Sequence, residues 1–161
     1  MDNGLKFSVC IPTYNMGGLI GDVINDVLGQ SYANFEIIIS DNNSQDDTEK
    51  IVKSFKDPRI RFFKNDTNVG YARNLQLCLE RSGGDIIYLL SAKGRISRDA
   101  LEKTYAAFMI SEDIGAVTRP YYWYGKDLQT PVRAKERYAK EKDAVISIHD
   151  NIEAIIAVVK T

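Results

Sequence analysis

Two periodicities divide the chain. Short apolar runs predict strands at Lys6–Ile11, Glu36–Ser40, Ile60–Lys64, Asp85–Leu90 and Ile114–Thr118. Between them, apolar residues recur at helical spacing. The first helix runs from about Gly17 to Gln30, with Leu19, Ile20, Val23, Ile24, Val27 and Leu28 on one face. The second carries Ile51, Val52 and Phe55 and is broken by Asp57-Pro58. The third shows Tyr71, Leu75, Cys78 and Leu79 and stops at Ser82-Gly83-Gly84. The fourth carries Leu101, Tyr105, Phe108 and Met109. Strand and helix alternate, which predicts an α/β fold with a mostly parallel sheet. The fourth strand is continuously apolar and is expected to lie inside that sheet.

After this alternation the pattern changes. Tyr121-Tyr122-Trp123-Tyr124 is an aromatic cluster, and Arg133–Lys142 is dense in charge. Ile148–Val159 reads as a last helix, with Ile152, Ile155, Ile156 and Val159 on one face. The expected organisation is an α/β core over residues 1–120 and the start of a further region, cut short, over 121–161.

Ligands of open α/β sheets sit at the carboxyl ends of the strands. There the second strand breaks into Ser40-Asp41-Asn42-Asn43-Ser44, whose short polar side chains build turns and helix caps or reach a ligand. Composition then narrows the function. Lys plus Arg number 21 against 22 Asp plus Glu, a net charge of -1, which argues against a nucleic-acid binder. With one histidine, His149, histidine catalysis and histidine-rich metal sites are not expected. Cys10 and Cys78 are isolated, lack metal-type spacing, and are expected to be buried and reduced. No apolar run spans a bilayer and no signal pattern opens the chain, so a cytoplasmic location is expected.

The glycines Gly17, Gly18 and Gly21, with Asp41 at the end of the second strand, loosely imitate an NAD-binding fingerprint. Pro12–Met16 intervene, however, and the Gly-x-Gly step is missing. No P-loop sequence occurs.

Three motifs in order match more closely: FSVCIPTYN, IIISDNNSQDDT and NVGYARNLQLCLERSGGDIIYLL. Together they resemble the nucleotide-sugar-binding domain of family 2 inverting glycosyltransferases, which have the GT-A fold. The resemblance covers about residues 6–118. It implies a Rossmann-like, mostly parallel sheet flanked by helices, and transfer of a sugar from a nucleotide diphosphate, usually UDP, to a glycan, lipid or polysaccharide. Pro12, Thr13, Tyr14 and Asn15 would line one wall of the nucleotide pocket, with Tyr14 packing on the base. Asp41 or Asn42, with Asn43 beside them, would meet the base edge. The family usually has two adjacent acids where this chain has Asp41-Asn42. Gly70 would let backbone approach the ligand, and Arg73 would reach base or diphosphate or, as a surface residue, pair with Asp66 or Asp41.

The fourth strand departs from the family. Relatives end it in acids that hold Mg²⁺ or Mn²⁺ through the diphosphate, and here those positions fall on Ala92 and Lys93. No metal is expected at that loop. Ser91, Lys93 and Arg95 are instead the candidates for the diphosphate. Asp113, Asp127 and Asp150 are available acids, but none lies in a recognisable base motif, so no catalytic residue is assigned. The partners implied are a nucleotide-sugar donor and a glycan or lipid-linked acceptor, with peripheral contact at the cytoplasmic face of a membrane. The rival reading is a binding module that has lost its metal acids.

Overall fold

The computed structural model describes residues 4–111, 113–118, 122–124, 131–134 and 155–159. β1 (Phe7–Thr13), β2 (Phe35–Asp41), β3 (Ile60–Lys64) and β4 (Ile86–Leu89) alternate with α1 (Gly17–Leu28), α2 (Thr48–Ser54), α3 (Tyr71–Glu80) and α4 (Ala100–Phe108). After α4 come β5 (Ala116–Thr118), β6 (Tyr122–Tyr124), β7 (Pro131–Ala134) and β8 (Ile155–Val159). The main sheet has six strands in the order β3-β2-β1-β4-β8-β5, and β6 pairs with β7 in a separate ladder. β1, β2, β3 and β4 are parallel, and β8 runs antiparallel to both β4 and β5. The apolar fourth strand lies inside the sheet, as its composition predicts.

One expectation fails. Ile155–Val159 is a strand, not the end of a helix. The sequence IIAVV is almost entirely β-branched, and that preference outweighs the helical spacing of Ile152, Ile155, Ile156 and Val159. Residues 148–154 and most of the charge-dense stretch lie outside the described residues. The main sheet thus draws strands from both sides of residue 120.

Strand alternation sorts the core into two layers. Phe7, Val9 and Ile11 of β1, Ile37 and Ile39 of β2, and Ile86 and Tyr88 of β4 pack with Ile20, Val23, Ile24 and Val27 of α1, Val52 of α2, and Leu101 and Phe108 of α4. The intervening Cys10, Ile38 and Ile87 pack against Cys78 of α3 on the other face. Both thiols are buried and unbridged, as expected. Each fully buried Ile, Val or Phe contributes about 1.5–3 kcal/mol. Gly84, entering β4, lies so close to β1 that a Cβ would fall 2.7 Å from both the Lys6 carbonyl and the Ser8 amide, so only glycine fits.

At the amino ends of the strands, Glu36 is buried and satisfied. It accepts from Ser8 Oγ at 2.7 Å, Gly83 N at 2.6 Å and Arg61 Nη1 at 3.1 Å, with Lys6 Nζ at 3.3 Å. Burial works to raise its carboxyl pKa, but these donors outweigh burial and set it at about 2. This cluster fastens the end of the sheet remote from the cavity described next.

Candidate functional site

β1, β2 and β3 end level with one another, Thr13 opposite Asp41 and Asp41 opposite Lys64, while β4 ends opposite Cys10. Their polar continuations therefore meet at one edge, and hydrogen bonds lace them together. Asn42 N donates to Thr13 O at 2.9 Å. Asn15 N donates to Ser44 Oγ at 2.8 Å, and Asn15 Oδ1 accepts from Gln45 N at 2.9 Å. Met16 N reaches Thr48 Oγ1 and Gly17 N reaches Asp46 Oδ2, at 2.9 and 2.8 Å. Asn15 and Asn43 turn the chain with φ of 50° and 66°, a left-handed conformation that asparagine tolerates. The segments after β1 and β2 are thus one polar unit.

A second lattice ties β2 to the β3–α3 loop. Asn42 Nδ2 donates to Asn68 Oδ1 at 2.7 Å, while Asn42 Oδ1 accepts from Asn65 Nδ2 at 3.2 Å and Val69 N at 2.9 Å. Buried Asn74 accepts from Ser40 Oγ and Asn65 Nδ2 and donates to Ser40 O. Gly70 follows with φ 81°, where a side chain would be strained, and its amide donates to Asn68 Oδ1. Gly70 starts α3 at a fixed angle.

These two lattices border a cavity of about 420 Å³. Pro12, Thr13, Tyr14 and Met16 line it from the β1–α1 side, and Asn42 from the end of β2. Asn68, Tyr71 and Asn74 line it from the loop and first turn of α3, and Ser91, Ala92 and Lys93 from the loop after β4. Tyr14 is 42% exposed and Tyr71 is 70% exposed, so two aromatic rings stand at its rim. The Thr13 hydroxyl is buried and has no hydrogen-bond partner. A buried unpaired hydroxyl costs roughly 1–3 kcal/mol, and a ligand atom would relieve that.

The loop after β4 is stapled to α1. Gln30 Nε2 donates to Ser97 O at 2.8 Å, Gln30 Oε1 accepts from Leu101 N, and Ser31 N donates to Arg98 O at 2.8 Å. Arg95 binds Asp26 with two nitrogens and has Asp22 at 3.7 Å. The hydrogen bonds it donates to the Asp26 carboxylate hold the Arg95 guanidinium above its ordinary pKa. Within the loop, Gly94 N donates to Ser91 O and Lys93 N to Ser91 Oγ, a tight turn that leaves the Lys93 side chain exposed on the cavity.

Of the expected site residues, Pro12, Thr13, Tyr14, Asn42, Ser91 and Lys93 share this cavity. The others do not line it. Asp41 is fully buried, and its carboxylate accepts from Ser44 N and Ser44 Oγ. Asn15, Asn43 and Gly70 shape the surrounding turns. Arg73 pairs with Glu80 at 3.1 Å, rather than with Asp66 or Asp41, because α3 places both on one exposed face. Arg95 is held by Asp26. Met16, Asn68, Tyr71, Asn74 and Ala92 complete the lining, and no spacing rule marks them. Gly17, Gly18 and Gly21 lie in α1, with the Gly17 amide taken by Asp46, so they form no phosphate-cradling loop.

The residues present do not fit a divalent metal. No carboxylate lines the cavity, and among the described residues no three His, Cys, Asp or Glu side chains converge. No helix among the described residues is long and apolar enough to cross a membrane.

The parallel sheet with its ligand edge at the strand carboxyl ends is that of a sugar-nucleotide transferase fold. The family model described as Glycosyl transferase family 2 matches residues 8–156, and the chain belongs to that family. A UDP-glucose:α-D-GlcNAc-diphosphoundecaprenol β-1,3-glucosyltransferase of Escherichia coli is 31% identical over 149 residues, covering 87% of this chain and 49% of the relative. A GalNAc(5)-diNAcBac-PP-undecaprenol β-1,3-glucosyltransferase of Campylobacter jejuni is 32% identical over 60% of this chain and 32% of its own length. Among solved structures, Staphylococcus aureus TarS in complex with UDP-GlcNAc superposes with a TM-score of 0.63 at 24% identity, over 66% of this chain and 32% of TarS. That likeness establishes the GT-A fold. The chain spans about a third to a half of the length of these curated relatives.

Proposed function

We propose that this chain binds the nucleotide diphosphate sugar donor of a family 2 glycosyltransferase, with UDP as the nucleotide. The observation that carries this reading is the single cavity shared by Pro12–Tyr14, Asn42, Ser91 and Lys93 at the carboxyl edge of the sheet. Tyr14 and Tyr71 offer faces to a base, Asn42 and Asn68 amide edges, and Lys93 a positive charge for phosphate. The names of the relatives support a UDP-linked donor and a lipid-diphosphate-linked glycan as acceptor, reached at a membrane surface.

The reaction proposed is one inverting displacement. The acceptor hydroxyl oxygen forms a bond to the anomeric carbon while that carbon's bond to the β-phosphate oxygen breaks. The electron pair stays on the departing UDP, and the hydroxyl proton passes to a base. That base is not assigned to any described residue; Asp113 is exposed on a turn, and Asp127 and Asp150 lie outside the described residues. A second reading, a module that binds donor without turnover, draws on the absence of carboxylates from the cavity.

Calorimetric titration with UDP, UDP-glucose, GDP-mannose and NAD tests the ligand class. UDP and UDP-glucose are expected to bind and NAD is not. Binding of NAD alone overturns the reading, and binding of UDP-glucose with no transfer to any lipid-diphosphate sugar acceptor favours the binding module.

A further inference from the structure

We infer that Lys93 holds the donor's diphosphate directly, so that this site takes its nucleotide without a divalent cation. The inference rests on the reading of the cavity as a nucleotide site and goes on to say how its charge is balanced.

Among the described residues lining the cavity, Lys93 is the only charged one. A bridging cation needs several hard oxygen ligands, usually carboxylates. Three acids, two at or after the end of β2 and one on α1, already have partners. Asp41 is bound to Ser44, Asp46 to Gly17 and Thr48, and Asp26 to Arg95. The surroundings therefore favour an anion over a cation.

Two basic residues of the loop, Arg95 and Lys93, have different fates. Arg95 is consumed by Asp26 and serves to fix the loop on α1. Among the described residues, Lys93 has no carboxylate partner, and the turn built by Ser91 presents it to the cavity. The first turn of the ten-residue helix α3, its positive end, also lines the cavity through Tyr71 and Asn74. Thr13, whose buried hydroxyl has no hydrogen-bond partner among the described residues, also lines the cavity. A diphosphate carries the charge and acceptor oxygens that satisfy all three. When the bond to the β-phosphate breaks, further negative charge collects where Lys93 stands.

The test is a titration of the 161-residue chain with uridine, UMP and UDP, each in EDTA and in excess Mn²⁺. In EDTA, UDP is expected to bind at least about tenfold tighter than uridine, and Mn²⁺ to change its Kd by less than about twofold. Lys93→Ala should bring UDP to within about threefold of uridine and leave uridine binding unchanged. The double substitution Ser91→Asp with Lys93→Asp should weaken UDP in EDTA and regain at least about tenfold with Mn²⁺. Wild-type UDP binding that requires Mn²⁺ overturns the inference. So does a Lys93→Ala protein that keeps the full gain of UDP over uridine. Uridine binding with no added gain from phosphate overturns the role of Lys93 alone, whereas failure of every nucleotide to bind overturns the nucleotide site and this inference with it.

Discussion

Arg95 donates through Nε and Nη2 to the two carboxylate oxygens of Asp26, and this bidentate pair fixes the loop after β4 to α1. Asp26 is largely buried, whereas Arg95 is about half exposed, so the pair contributes on the order of 1 kcal/mol once solvent screening is allowed for. Arg95→Ala is expected to lower the Tm by a few degrees and to speed amide exchange across residues 91–97. UDP affinity should fall only about threefold, because the loss acts through loop order. A loss as large as that of Lys93→Ala would place Arg95 on the ligand instead.

Thr13→Val separates folding from binding. The hydroxyl has no partner in the free protein, so its removal is expected to leave stability unchanged or to raise it by up to about 1 kcal/mol. If a phosphate or ribose oxygen is its partner, UDP affinity falls several-fold in the same variant. Urea unfolding and calorimetry on one preparation read both. A drop in stability with unaltered affinity would rule out the ligand contact.

Asn42 works as an amide, not as a substitute acid. Its Nδ2 donates to Asn68 Oδ1, which also accepts from the Gly70 amide. Asn42→Asp would set two oxygens against each other, and rotating the Asn68 amide would sacrifice the Gly70 bond. A loss of about 1–2 kcal/mol is expected, with faster exchange of the Val69 and Gly70 amides. Equal or greater stability in Asn42→Asp would show that the lattice tolerates a carboxylate there.

Glu36 sets an acid limit on stability. Its folded pKa of about 2 lies below the ordinary 4.5, so its stabilisation is complete above the ordinary value and is lost as pH falls from 4.5 towards 2. The amount is on the order of 3 kcal/mol. Urea midpoints measured across this range should fall steeply for the native chain and less steeply for Glu36→Gln, which is also less stable near neutrality. Parallel slopes for the two proteins would remove Glu36 from the acid transition.

The sequence made the parallel half of the fold legible because each strand is short, β-branched and closed by polar or helix-starting residues. Phe35–Asp41 is the clearest case, buried at every position. Ile155–Val159 is ambiguous by spacing because five apolar residues satisfy either period; its β-branched composition and the place beside β4 together favour the strand. At the site, the proline and asparagine turns were visible as motifs, but their division of labour was not. Asp41 looks like a ligand residue by type, yet its carboxylate is turned onto Ser44 three positions on. Arg73 and Arg95 look like phosphate binders, yet each faces an acid that sequence distance conceals, Glu80 along the helix and Asp26 across the fold. By spacing Tyr71 belongs to the apolar face of the third helix, yet it is exposed at the cavity, and nothing in the sequence marks Asn74, because both positions depend on where Gly70 aims α3.

β8 bears on how the domain is made. It is the last described strand to leave the ribosome, yet it occupies an inner position, joining Ile86 of β4 through Val159 and Ala116 of β5 through Val158. Until β8 is made, β4 and β5 each present an open hydrogen-bonding edge. Unpaired edges recruit other strands, so this interval is when the protein is most exposed to misassembly. Expression systems that stall or terminate between β5 and β8 would yield a product with the cavity lining largely built and the β4 and β5 edges unpaired, prone to aggregate rather than to unfold.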